Sequence, residues 1–116
     1  MFSKSFSIDG CIWVNKGEDC FLAPGRIALL NAIVKEKSIR AAAKKLGIPY
    51  QLAWKTIDQM NRLAPIPILI ARRGGKDGGG VELTGYGNRI IQEVNRIESE
   101  FTKLLSSLNE DHDFCF

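Results

Sequence analysis

Arg72, Arg73 and Lys76 stand among five glycines in the run RRGGKDGGG, residues 72–80, so three cations share a loop whose backbone can approach a ligand closely. That composition suits an anion, and the first candidate is the phosphate of a bound nucleotide. A phosphate loop of the G-x-x-x-x-G-K-[ST] kind lies between a buried strand and a helix. Here Asp77 occupies the Ser/Thr place, and a strand-like run, VELT, follows in place of a helix. Asp77 would also repel a cradled phosphate, so a nucleotide site is set aside. A plain linker does not fit either, because VELT has strand character that a linker does not need. A loop whose cations neutralise the phosphates of a nucleic acid fits both flanks.

A second group lies upstream. Tyr50, Gln51 and Lys55 occupy the first turns of a helical run, Trp54 falls between its inward and outward rows, and Arg40 projects from the preceding helix. Gln pairs bidentately with adenine, and Lys reaches guanine or phosphate. Trp54 suits edge packing better than base contact, although it borders the same face. The remaining chemistry is sparse. His112 and Cys115 form an H-x-x-C, but two ligands near the chain end do not make a metal site. His112 is the only histidine, so a His-based triad has little to build on. No carboxylate pair has an obvious partner. Neither an enzyme, a metal nor a cofactor is expected.

These groups need elements to position them. FSIDGCIWVN, residues 6–15, is rich in β-formers and broken by the turn signal Asp9-Gly10, which predicts a strand or a small hairpin within 1–22; NKGED is a polar turn. FLAPGRIALLNAIVKEKS then reads as a helix with Ile27, Leu30, Ile33 and Val34 on one face, the first of three expected within 23–64. Ser38 can cap the next helix, which ends at Gly47 and turns Ile39, Ala42, Ala43 and Leu46 inward. YQLAWKTIDQMNRLA follows, with Ala53, Ile57, Met60 and Leu63 or Ala64 inward. Two helices joined by a short Gly-containing turn, with alanines at the crossing, are a helix-turn-helix signature. Pro65 and Pro67 stop the helix. Strand 66–71, the glycine loop and VELT then predict a β-hairpin wing over 66–84.

After Gly85, residues Ile90, Val94, Ile97, Phe101, Leu104 and Leu108 follow a four-three spacing, with Ile91 and Leu105 at its edge. That is an a/d stripe over nearly three heptads, expected on a helix over 85–108 and ahead of a frayed tail at 109–116. A small core covers only part of such a helix, so the stripe predicts a homodimer.

Composition is that of one ordinary globular domain, with 45% hydrophobic and 25% charged residues. The net charge of +3 divides unevenly. Residues 35–76 carry ten Lys/Arg against two acids, whereas residues 77–116 carry three against eight. A basic centre beside an acidic tail suits a nucleic-acid binder. No apolar run spans a bilayer and no secretory signal precedes the domain, so no membrane partner is expected. Cys11, Cys20 and Cys115 are odd in number and lack CxxC spacing; free thiols of a cytoplasmic protein are expected, with Cys11 and Cys20 buried and structural.

SIRAAAKKLGIPYQLAWKTIDQMNRL resembles the LysR-type helix-turn-helix. Followed by ILIARRGGKDGGGVELTGYGNRII, it is similar to the DNA-binding domain of the ModE-type molybdate-responsive transcriptional regulators. The likeness covers roughly residues 20–106. It implies a mainly α winged helix-turn-helix with a small β wing and a long dimerisation helix, binding double-stranded operator DNA as a homodimer. By position it implies contacts from Tyr50, Gln51 and Lys55 in the major groove and from Arg72, Arg73 and Lys76 on the backbone or minor groove. Full-length relatives continue into molybdate-binding domains that have no counterpart before Phe116, so direct molybdate binding is not expected. The alternative is a winged helix that docks a protein partner without reading DNA sequence; such a module has little need of the basic centre.

Overall fold

The computed structural model describes residues 6–72 and 80–114. Its elements, in chain order, are β1 (Val14–Lys16), β2 (Asp19–Leu22), α1 (Pro24–Glu36), α2 (Ile39–Leu46), α3 (Tyr50–Leu63), β3 (Leu69–Ala71), β4 (Val81–Leu83) and α4 (Gly85–Asp111). The strands form two separate antiparallel hairpins, β1–β2 and β3–β4. This is a winged helix with a long C-terminal helix, mainly α as the sequence predicts.

The first hairpin turns at Gly17, within NKGED, and not at Asp9-Gly10. Gly17 has φ 61°, the left-handed conformation that this tight turn needs and a Cβ would disfavour. Phe21 and Leu22 consequently belong to β2 and not to the first helix; both are buried. Pro24 opens α1, where its missing N–H costs nothing. α1 packs against β2, α2 and α4, so it buries a broader face than one row: Ile27, Leu29, Leu30, Ala32 and Ile33. Val34, expected inward, is exposed, as is Leu46 at the end of α2.

The core gathers the inner faces of α1, α2 and α3 with Ile68, Leu69, Val81, Ile91 and Val94. Beyond Val94, α4 leaves it. The helix has 27 residues, about 40 Å at 1.5 Å per residue. The radius of gyration is 17.8 Å and the longest dimension 62 Å. A compact domain of this length has a radius of gyration of roughly 13 Å. The excess belongs to the projecting half of α4.

That half is not bare. The segment before β1 lies along it: the Ile8 N–H donates to Asn109 Oδ1 at 2.7 Å, and Asn109 Nδ2 donates to the Ile8 carbonyl at 2.9 Å. Gly10 sits against the Phe101 ring, where an added Cβ would be 3.1 Å from Cζ. Residues 109–111, expected to fray, are helical, and the rings of Phe6, His112 and Phe114 cluster beside them. Among the described residues, no helix is long and apolar enough to cross a membrane.

Candidate nucleic-acid interface

The helix-turn-helix is built from local chemistry. Ser38 accepts a hydrogen bond from the Ala41 N–H at 3.1 Å, satisfying one of the free donors of the first turn of α2. At the other end, Gly47 takes φ 70° and its N–H returns to the last turn, so the chain can leave at a steep angle. Ala42, Ala43 and Ala53 are almost completely buried, and their small side chains bring α2 and α3 close together. Asn61, near the end of α3, accepts from the N–H groups of Ile68 and Leu69 and donates to the Leu69 carbonyl. That clamp fixes where the wing leaves the motif.

On the outer side of α3, Tyr50, Gln51, Trp54 and Lys55 are all exposed, and Arg40 stands beside them on α2. The Arg40 guanidinium carbon lies 4.3 Å from the centre of the Tyr50 ring, a cation–π contact. Trp54, one helical turn on, meets Tyr50 edge-to-face with ring centres 6.4 Å apart and planes at 90°. Tyr50 and Trp54 each keep 37% of their surface exposed, so Trp54 sits at the edge and not in the core. Arg40 and Lys55 take part in none of the ion pairs among the described residues. Five of the eight expected contact residues therefore share one continuous surface.

The wing's base is described and its tip is not. β3 and β4 pair with Leu69 opposite Leu83 and Ala71 opposite Val81, and the Arg72 N–H donates to the Gly80 carbonyl at 2.8 Å. Arg72 is exposed but lies 4.0 Å from Glu82 on the paired strand, so its charge is partly matched within the chain. Arg73 and Lys76 lie outside the described residues, as does Cys115. Cys11, expected buried, is exposed and accepts from Trp13 Nε1 at 3.2 Å; Cys20 is half-buried.

Sequence reasoning missed Lys37. It ends α1 at φ 58°, the one non-glycine with positive φ among the described residues, and its carbonyl faces Gly80, where a Cβ would stand 3.2 Å away. The backbone of the α1–α2 corner thereby lies against the wing at Gly80. The clue in the sequence was the position of Lys37 directly before the cap Ser38, where one helix must end and the next begin.

The expected dimerisation stripe is divided three ways. Val94 is 3% exposed inside its own chain's core, with Ile90 packed against it; Val94 is a core residue and not part of a free stripe. Ile97 and Phe101 are half-buried, the latter beneath the N-terminal segment. Leu104 and Leu108 remain exposed, at 52% and 42%. On the exposed side of this helix, Arg96 hydrogen-bonds Glu93 and holds its carboxyl below the usual range.

Residues 25–88, from the start of α1 through the first turn of α4, match the family described as bacterial regulatory helix-turn-helix protein, lysR family. The chain belongs to this family. It is 45% identical over 89 residues to the molybdenum transport protein ModE of Azotobacter vinelandii, covering 77% of this chain and 33% of that one. It is 44% identical over 85 residues to the molybdenum-pterin-binding protein MopB of Rhodobacter capsulatus, covering 73% and 32%. It is 40% identical over 91 residues to the DNA-binding transcriptional dual regulator ModE of Escherichia coli K12, covering 78% and 35%. The chain thus spans about a third of the length of these relatives. The family match covers both helices of the motif and the wing, the elements that carry the surface described above.

Proposed function

We propose that this chain is the sequence-reading part of a transcription regulator that binds double-stranded DNA as a homodimer in the cytoplasm. The observation that carries this reading is the α3 surface: a polar amide, a lysine and two aromatic rings on the outer face of a helix-turn-helix, beside an arginine, with neither cation in an ion pair among the described residues. In this reading α3 lies in the major groove, with Gln51 and Lys55 reaching base edges. Arg72, Arg73 and Lys76 of the wing neutralise phosphates along the backbone or minor groove. Leu104 and Leu108 of two copies meet across a two-fold axis, which places the recognition helices about 34–36 Å apart on a palindromic site. The proposed function includes no direct binding of molybdate by these 116 residues.

The test is a fluorescence-anisotropy titration with a random duplex pool and with sequences selected from it, at low and near-physiological salt. The expected result is salt-sensitive binding that keeps a preference for one palindrome. Gln51→Ala or Lys55→Ala should change which bases are preferred. Binding that vanishes with salt for every sequence equally would refute sequence reading. It would favour a winged helix that docks a protein partner.

A further inference from the structure

Gln51 and Lys55 supply polar chemistry to α3, but the largest exposed groups at its start are aromatic. Tyr50 and Trp54 lie one turn apart, each 37% exposed, with no hydrogen bond from either side chain among the described residues. Apart from the Tyr50 hydroxyl and the Trp54 N–H, what they present is carbon. We infer that the Tyr50–Trp54 pair, with Arg40 fixed across the Tyr50 ring, reads the C5-methyl groups of thymines in the major groove; the inference rests on the DNA-reading function proposed above.

Three observations lead there. The edges of the base pairs offer donors and acceptors along the whole major groove but only one apolar group, the thymine methyl. An exposed carbon surface at the start of a recognition helix has no other match in that groove. Stacking on an unpaired base, the other use of an aromatic ring, is hindered by the packing. Arg40 covers one face of Tyr50 at 4.3 Å, and the perpendicular contact with Trp54 occupies a second ring face, so the pair offers fewer open faces to a base. Finally, Gln51 follows Tyr50 directly in the chain. Gln pairs with adenine N6 and N7, and the thymine of the same base pair carries the methyl. Amide and ring therefore select the same A·T pairs from opposite strands, by two independent contacts. Arg40 acts here as a positioning residue. It restrains the Tyr50 ring while its guanidinium, in no ion pair among the described residues, remains available to the backbone phosphates.

The experiment removes only the methyl. A palindrome selected with the intact protein is resynthesised with deoxyuridine in place of thymine, one symmetric pair of positions at a time, and affinities are compared by anisotropy. Burial of one methyl is worth about fourfold, so a symmetric pair that removes two contacted methyls predicts a loss of about sixteenfold. That loss should disappear in Tyr50→Ala or Trp54→Ala and persist in Tyr50→Phe, which keeps the ring edge. Arg40→Ala should weaken every duplex and also reduce the thymine-to-uracil ratio. A selected palindrome whose affinity is unchanged by uracil at every position overturns the methyl reading and leaves the DNA-reading function intact. So does a uracil penalty that is equally large in both alanine variants. Failure to select any preferred duplex overturns both, and it is seen before uracil is introduced. Because the uracil series uses the unaltered protein, a variant that folds poorly does not compromise the result.

Discussion

Gly87 admits no side chain. Thr84 caps α4 by accepting the Gly87 N–H at 2.9 Å, while its own hydroxyl donates to the Pro67 carbonyl at 2.6 Å. The first turn of α4 is drawn so tightly onto the start of β3 that a Cβ on Gly87 would fall 2.2 Å from the Ile68 carbonyl oxygen. The run TGYG thus encodes a cap followed by a close crossing, and backbone cannot yield as a side chain can. Gly87→Ala is expected to destabilise the fold by about 1–3 kcal/mol or more, measured by urea unfolding. Lys37 makes the opposite case. An L-residue in the left-handed region is strained by about 1–2 kcal/mol, against about 0.5–1 kcal/mol of added chain entropy for glycine. Lys37→Gly should therefore raise stability by up to about 1 kcal/mol in the same assay.

At the scale of elements, the wing and the motif are separable in their effects on binding. Affinity that comes from phosphate contacts falls with salt at about 0.9 logarithmic unit per neutralised phosphate. Replacing Arg72, Arg73 and Lys76 by alanine should weaken binding to all sequences and shallow that slope, leaving the preferred palindrome the same. A slope unchanged by the triple variant would remove the wing from the interface. Arg72 is expected to contribute least of the three, because Glu82 already faces it. The motif was legible in the sequence because its determinants are local: Ser38 caps, Gly47 turns, and Ala42, Ala43 and Ala53 permit the crossing, all within sixteen residues of one another. The first hairpin was misplaced because Asp9-Gly10 and Lys16-Gly17 are both turn signals, and only the packing of Phe21 and Leu22 on α1 decides between them. The Asn61 clamp was invisible for a similar reason. An asparagine inside a helix announces no partner until strand β3 has been brought alongside. For the candidate site, residue types indicated which side chains face outward. They could not indicate that Arg40, Tyr50 and Trp54 touch.

At the scale of the molecule, periodicity identified the apolar face of α4 but not what covers it. The upper part is used by the chain's own core and the middle by residues before β1, which leaves Leu104 and Leu108 as the open remainder. If that remainder holds two copies together, burying each leucine contributes about 1.5–3 kcal/mol. Leu104→Ser with Leu108→Ser should then convert a dimer at tens of micromolar into a folded monomer, as read by sedimentation equilibrium. A wild-type monomer at that concentration would remove the dimer and leave intramolecular packing as the role of the covered part of the stripe alone. The distribution of charge agrees with a division of labour along the long axis: cations concentrate in residues 35–76, which include the motif, and acids on and after α4.

The paired hydrogen bonds between Ile8 and Asn109 join residues 101 apart in sequence. Such a contact closes nearly the longest loop the chain can make, and the entropy of that closure must be met before the two bonds contribute anything. The helix-turn-helix, assembled from neighbours, has no such delay. The N-terminal segment should therefore be the last part to dock during folding and the first to open in the native state. Deuterium should replace the Ile8 amide proton well before those of α2 and α3. Refolding monitored by that amide should lag refolding monitored at the motif.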